Sequence, residues 1–142
     1  MSVEDNKALY RRWIEEGFVK KNVNAAVEEY IHPNAIDHTA PPGTPPGPEG
    51  TKQQLRNYFT AFPDLRPTIT DLISEGDKVV ALITFEGTHK GPFMGIPPTG
   101  KRTTTSGIDV ARISNGKFVE HWFQADFVGL LQQLGALPGL GQ

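Results

Sequence analysis

The chain contains no cysteine among its 142 residues. This absence excludes disulfide bonds, a thiol nucleophile and a metal site built from thiolates. No segment approaches the roughly 20 consecutive apolar residues that a membrane-spanning helix needs. The N-terminal residues also lack the apolar run of a signal peptide. We therefore expect a soluble, cytoplasmic protein that has no membrane partner.

The sequence also lacks an excess of basic residues. Lysine and arginine number 14 against 16 aspartates and glutamates, which gives a net charge of −2. A nucleic-acid partner is therefore not expected, because such proteins concentrate positive charge. The apolar fraction is only 37%, but 15 glycines and 12 prolines lower it. The length predicts one domain over residues 1–142.

The first half of the chain has the spacing of helices. Ser2 is a candidate N-cap of the first helix, with Asp5 at the spacing of a capping box. A second helix is capped by Asn24 and stops before Pro33, because the residue preceding a proline disfavours helical geometry. A Pro/Gly-rich stretch follows and is either a lid over a pocket or a stiff connector. The ranges are 3–20 and 24–30 for these two helices, 40–50 for the loop, and 50–62 for a third helix.

From residue 64 onward the apolar period changes to two, which is typical of strands. Asn115-Gly116 is a hairpin signal between the last two strands. A final helix ends at Gly135, a suitable residue after a helix C-terminus. Helices followed by strands indicate an α+β fold, in which N-terminal helices cover a curved antiparallel sheet and enclose a cone-shaped cavity. The strands are predicted over 65–74, 78–89, 102–113 and 117–127, and the last helix over 127–134.

The last strand has an unusual set of side chains on one predicted face. Because side chains alternate along a strand, five residues should share that face. Carboxylates beside an amide and a large aromatic ring suit the wall of a pocket, where burial raises a carboxyl pKa toward neutrality. The alternative is a solvated face with a partly exposed tryptophan. The five residues are Phe118, Glu120, Trp122, Gln124 and Asp126.

An ordered set of short stretches resembles the SnoaL-like polyketide cyclases, also called predicted ester cyclases, of the nuclear-transport-factor-2-like superfamily. The resemblance extends over essentially the whole chain. Each stretch alone is weakly specific for this family, but the whole set in this order is a strong signal. The stretches are Ala61-Phe62-Pro63-Asp64-Leu65, Glu75-Gly76-Asp77-Lys78-Val79, Gly87-Thr88-His89-Lys90-Gly91-Pro92-Phe93, Gly95-Ile96-Pro97-Pro98-Thr99-Gly100-Lys101, Asn115-Gly116-Lys117, Glu120-His121-Trp122, Asp126 and Leu130-Leu131-Gln132-Gln133-Leu134-Gly135.

This resemblance implies a cone-shaped α+β barrel that assembles as a dimer or a higher oligomer. It also implies ring closure by intramolecular aldol condensation on a polyketide ester, without a metal or organic cofactor. An aspartate at the motif position of Asp126 is then the general acid/base. The alternative for Asp126 is an N-cap of the final helix, and the two roles are compatible.

Two histidines are further catalytic candidates. His38 borders the Pro/Gly-rich loop and His89 ends a long strand, so both could face the cavity mouth and relay a proton. The alternative for each is a hydrogen bond to loop backbone. His121 has the opposite strand parity from Asp126 and is assigned to the outer face or to an oligomer contact. No metal site is expected, because no His-x-His or His-x-x-x-His pair is present.

The remaining candidates are substrate-binding residues of the pocket wall. Asp109 is a polar residue within a strand and is either a second acid in the cavity or a solvated residue. The aromatic candidates are either pocket wall or plain core. The substrate-binding set is Trp122, Gln124, Tyr58, Phe62, Phe85, Phe93 and Asp109.

Three functions remain open from the sequence. The first is a cofactor-free cyclase or isomerase that acts on a small hydrophobic carbonyl compound. The second is a binding protein of the same shape without chemistry, and the third is a related epoxide-type hydrolase. Because fold likeness alone names no substrate, the choice depends on the site. A homodimer or higher homo-oligomer is expected through an apolar outer sheet face, with Val80, Leu82, Ile108, Val110 and Phe123 as its residues.

Overall fold

The computed structural model describes residues 2–137. Helices dominate its first half and strands its second half, which confirms the predicted α+β fold with a curved sheet. The elements are α1 (Val3–Ile14), a π-helical segment (Glu15–Val19), α2 (Val23–Tyr30), β1 (Ile31–Asp37), α3 (Gly47–Ala61), β2 (Arg66–Glu75), β3 (Lys78–Thr88), β4 (Arg102–Ser114), β5 (Lys117–Ala125) and α4 (Phe127–Gln133).

The helix ends follow local chemistry with two exceptions. Ser2 and Asp5 form the predicted capping box at the start of α1. The predicted cap at Asn24 is wrong, because α2 already begins at Val23. Helix α3 also begins earlier than residue 50, since its Pro48 fits the first helical turn, where no backbone donor is needed.

The sheet has five strands in the order β1-β5-β4-β3-β2. Neighbouring strands from β2 to β5 pair antiparallel, as predicted. The edge strand β1 pairs parallel with β5, so the prediction of a wholly antiparallel sheet is wrong at this edge. Asn115 and Gly116 both adopt positive φ, which matches the tight hairpin expected between β4 and β5.

An irregularity in β5 changes which side chains face the core. Phe118 pairs with Ile113 and Glu120 pairs with Arg112, so one residue, Val119, is left unmatched as a bulge. A one-residue insertion exchanges the two faces of the strand beyond it. The uninterrupted alternation predicted from Phe118 to Asp126 is therefore wrong.

Helices α1, α2 and α3 cover one face of the sheet, and their apolar side chains meet the inward side chains of β3 and β4. The inward face of β3 is the predicted one, with Val79, Ala81 and Ile83 fully buried. A smaller apolar cluster joins Phe62 to Leu130 of α4. Within residues 2–137, no helix is long and apolar enough to cross a membrane.

Candidate active site

A cavity of about 210 Å³ lies between the helices and the inner face of the sheet. Rings supply most of its apolar wall, in keeping with small-molecule sites in general, which are lined mainly by hydrophobic and aromatic side chains. A connected chain of polar side chains forms the rest. The aromatic lining consists of Tyr10, Trp13, Phe18, Tyr58, Phe62, Phe85, Phe93, Phe118, Phe123 and Phe127.

His121 is the centre of the polar wall. Its Nε2 atom lies 2.9 Å from Asp37 Oδ2, and its Nδ1 atom lies 2.9 Å from Asp109 Oδ1. A ring that donates to a carboxylate through both nitrogens carries two protons and is an imidazolium. The β5 bulge directs this side chain inward, whereas parity had assigned His121 to the outer face. That assignment is wrong.

Asp37 is held by neighbours from three elements. Gln54 Nε2 of α3 donates to Asp37 Oδ2 at 3.1 Å. The Thr39 backbone N–H and hydroxyl lie 3.0 and 3.1 Å from Asp37 Oδ1. The Thr39 hydroxyl in turn accepts a hydrogen bond from the Phe123 N–H at 2.8 Å. These bonds fix the carboxylate between β1, α3 and β5.

Asp109 lies on β4 and completes the group of three charges. Besides its contact with His121, it accepts a hydrogen bond from the Tyr10 hydroxyl at 2.7 Å to Oδ2. Both Tyr10 and Asp109 are buried. The chain Tyr10–Asp109–His121–Asp37–Gln54 therefore connects α1, β4, β5, β1 and α3 through side chains alone.

The protonation of this chain follows from its contacts. Burial opposes charge on His121, but hydrogen bonds and attraction to Asp109 and Asp37 outweigh it and raise the pKa of His121 to about 10. Burial also opposes charge on Asp37, yet bonds from His121, Gln54 and Thr39 hold its pKa well below the usual range. Burial, with the charge of Asp109, raises the pKa of Tyr10. Two carboxylates and one imidazolium leave a net charge of −1.

Five of the predicted binding residues lie in the cavity wall, namely Tyr58, Phe62, Phe85, Phe93 and Asp109. Trp122 and Gln124 lie on the opposite face, where they pair with Val110 and Ile108 of β4. Their predicted place in the pocket is wrong because of the bulge at Val119. For the same reason Phe123, predicted for the outer face, lines the cavity.

Asp126 occupies the end of β5, outside the residues that line the cavity. Its Oδ1 atom accepts a hydrogen bond from the Gly129 N–H at 2.9 Å and caps α4. The side chain is exposed. This geometry is that of the capping alternative, and a catalytic role for Asp126 stays a prediction without geometric support.

His38 and His89 lie in different places from those expected. His38 stacks on the outward Trp122 ring at 4.6 Å, and its Nε2 atom lies 3.6 Å from Glu120. His89 is fully buried beside Phe62, where its Nδ1 atom accepts a hydrogen bond from the Thr99 N–H at 3.2 Å. Neither residue lines the cavity, so the expectation that both face its mouth is wrong.

Sequence reasoning missed four members of the polar chain, His121, Asp37, Tyr10 and Gln54. Asp37 is adjacent to His38, and only His38 is a candidate from the sequence in that segment. A buried tyrosine within a helical apolar stripe looks like core. The long-range pairing of β1, β4 and β5 brings Asp37 and His121 to Asp109, and the packing of α1 and α3 on the sheet adds Tyr10 and Gln54. None of these long-range contacts has a local signal in the sequence.

Comparison with known proteins gives a consistent result. The SnoaL-like polyketide cyclase family matches residues 8–134. The nogalonic acid methyl ester cyclase of Streptomyces nogalater is 32% identical over 111 residues, which is 77% of this chain and 83% of that protein. The aklanonic acid methyl ester cyclase DauD of Streptomyces sp. strain C5 is 28% identical over 130 residues, or 89% and 80% of the two chains.

Solved structures share the fold. TsrD from Streptomyces laurentii superposes with a TM-score of 0.83 at 34% identity, covering 92% of this chain and 98% of that one. AclR from Streptomyces galilaeus, a proposed hydroxylase, has a TM-score of 0.85 at 27% identity and covers 99% and 91%. Because one neighbour is assigned a different reaction, assignment of chemistry has to rest on the residues of the cavity.

Proposed function

Because this chain belongs to the SnoaL-like polyketide cyclase family, we propose that it closes a ring in a small, neutral polyketide ester by intramolecular aldol chemistry. Two relatives are cyclases of methyl esters, and homology to them supports an enzyme. The cavity wall, as far as it is described, contains no lysine or arginine and carries a net negative charge. A free carboxylic acid would be repelled there, whereas an ester would not.

The base in this proposal is Asp109. A carboxylate offers about four acceptor sites. Asp37 uses all of them, since Oδ1 accepts twice from Thr39 and Oδ2 accepts from His121 and Gln54. Among residues 2–137, Asp109 accepts one bond at each oxygen, from His121 and Tyr10, which leaves one acceptor site on each oxygen. This unequal number of donors is the observation that carries the proposal, because of the two carboxylates Asp109 is the one with room to accept a substrate proton.

The proposed reaction needs no net gain or loss of protons. Asp109 takes a proton from a carbon flanked by two carbonyl groups, and the electron pair of that C–H bond delocalises into an enolate. The enolate carbon attacks a second carbonyl carbon of the same molecule and forms the new C–C bond. The resulting alkoxide regains a proton from Asp109. The imidazolium of His121 stabilises the negative charge throughout, in a cavity whose wall is mainly apolar.

The test compares Asp109→Asn with Asp126→Asn, because the two residues carry competing assignments. The readout is exchange of the methylene protons of methyl benzoylacetate for deuterium, followed by NMR above the buffer background. This ester has the doubly activated carbon but needs no ring closure. We expect Asp109→Asn to lose about 10²–10⁴-fold in exchange rate and Asp126→Asn to remain within about threefold of the unmodified protein.

Thermal melts establish that both variants are folded before their rates are compared. The opposite result, with activity lost only in Asp126→Asn, would overturn the assignment of Asp109. Binding of the ester by the unmodified protein without exchange would favour a binding protein. Release of the free acid carrying oxygen from labelled water would favour a hydrolase.

A further inference from the structure

A second cavity lies behind the polar wall of the first. Its volume is about 270 Å³. The two cavities have residues in common, and these include three members of the polar chain, Asp37, Gln54 and His121, whereas Tyr10 and Asp109 line the first cavity alone. This part of the polar wall is therefore a boundary with space on both sides rather than the end of a closed pocket. The shared residues are Ile31, Asp37, Thr51, Gln54, Phe118 and His121.

An opening in the sheet accounts for this rear cavity. Ile31 pairs with Phe118, and Ile36 is the next residue of β1 to pair, with Glu120. Between these two pairs, β1 advances by five residues while β5 advances by two. The intervening residues of β1 therefore bulge away from β5 and are not paired with it. The gap is covered by the Pro/Gly-rich loop and by α3 rather than by a further strand.

The walls of the rear cavity are preformed. A Cβ atom at Gly50 of α3 would collide with the carbonyl oxygen of Pro45, so loop and helix touch through backbone. Gly47 has φ +66°, and a Cβ there would lie 2.8 Å from the Pro33 oxygen. Since neither contact leaves room for a side chain, the loop is held at a fixed distance from β1 and α3.

The two cavities differ in the shape of molecule that they suit. Rings dominate the front cavity, whereas the apolar wall of the rear cavity is mainly aliphatic, from Ala35, Ile36, Ala40, Pro45 and Pro46. Flat rings pack against rings, and an alkyl chain packs against small aliphatic groups. Gln54 lines both cavities, and its side-chain amide donates a hydrogen bond to Asp37.

We infer that the rear cavity is a second substrate subsite, which takes an alkyl arm of the substrate while its aromatic body occupies the front cavity. The activated carbon then lies between the two, beside the polar wall. The inference rests on the proposed function for the position of the reacting carbon. It adds a substrate class, namely aromatic β-keto esters whose ester group carries an alkyl chain.

The test uses alkyl benzoylacetates from the methyl to the butyl ester. Dissociation constants come from quenching of tryptophan fluorescence, and turnover comes from methylene deuterium exchange. For the unmodified protein we expect affinity to rise about fourfold for each added methylene, the ratio for burying one CH₂ group. In Ala40→Leu, which fills only the rear cavity, the gain should disappear beyond the ethyl ester while the methyl ester binds as before.

Ala125→Leu is the matched control, because Ala125 lines the front cavity alone. It should weaken all esters by the same factor and keep the chain-length gain. Ala35→Leu is a second filling variant should Ala40→Leu fold poorly, as judged by its melt. Three results would overturn the inference. They are an increase in affinity with alkyl length that persists in the filling variants, no such increase in the unmodified protein, and no binding of any ester. Affinity that depends on alkyl length in the unmodified protein, but without deuterium exchange, would refute the proposed reaction and leave the subsite supported.

Discussion

His121 should remain protonated far above the pH at which an ordinary histidine loses its charge. Its pKa is raised to about 10, because Asp109 and Asp37 both accept protons of the ring and outweigh the cost of burial. In the unfolded chain the ordinary value of about 6.5 applies. Between about pH 6.5 and pH 10, the folded protein therefore keeps a proton on His121 that the unfolded chain has lost. The free energy of unfolding must depend on pH in that range.

The sign of this dependence follows from the raised pKa. The contribution of His121 to stability is fully present below about pH 6.5 and is lost as the pH rises toward about 10. One retained proton corresponds to about 1.4 kcal/mol per pH unit, so the upper limit between pH 7 and 9 is about 2.7 kcal/mol. Because 33% of the side chain is exposed, solvent screening lowers this, and we expect a loss of about 1–2 kcal/mol.

Urea unfolding at pH 7, 8 and 9 measures the effect in the unmodified protein and in His121→Gln. Other titrating groups contribute to both proteins and cancel in the difference, so the variant should lack the loss assigned to His121. Side-chain NMR should show the His121 ring doubly protonated at pH 8. A ring that titrates below pH 7.5, or equal pH slopes for the two proteins, would refute the reasoning.

Two further predictions concern Tyr10 and the outer sheet face. Tyr10→Phe removes the hydroxyl that donates to Asp109 at 2.7 Å. It should lower the free energy of unfolding, measured in urea at pH 7, by about 1.5–3 kcal/mol. A change below about 0.5 kcal/mol would contradict this prediction. Ile73, Val80, Val110 and Trp122 form a continuous outward row, beside which Ile108 is 48% exposed. We expect a homodimer by light scattering at micromolar concentration and a monomer for Ile108→Glu, and a monomeric unmodified protein would contradict this expectation.

Elements that depend on neighbours in sequence could be predicted. The capping box of Ser2 and Asp5, the Asn115-Gly116 hairpin and the inward face of β3 each follow from a few adjacent residues. The parallel pairing of β1 with β5 could not be predicted, because its partners are far apart in the chain. A short extended segment before a loop contains no information about which distant strand it will meet.

The error in the predicted face of β5 has one physical cause, the bulge at Val119. Alternation placed Trp122, Gln124 and Asp126 inward, and it would have been right had β5 paired regularly from Phe118 onward. The bulge at Val119 shifts the register after Ile113, so His121 and Phe123 turn inward instead. A bulge leaves no reliable local signature, since Val119 is an ordinary strand residue.

The same bulge connects the fold with the proposed chemistry. Without it, His121 would face solvent, and Asp37 and Asp109 would be two buried carboxylates without a cation between them. Two like charges in one cavity raise each other's cost of ionisation. By bringing the imidazolium between them, β5 gives both carboxylates a cation partner, and the hydrogen bonds around Asp37 leave Asp109 as the carboxylate with fewer donors. Because Val119 is the extra residue of β5, its deletion should leave Glu120 opposite Arg112 and His121 opposite Ala111 in a regular ladder. His121 then still faces the cavity, and we expect the deletion variant to keep the deuterium-exchange activity; loss of exchange in a variant that still folds would contradict this reading.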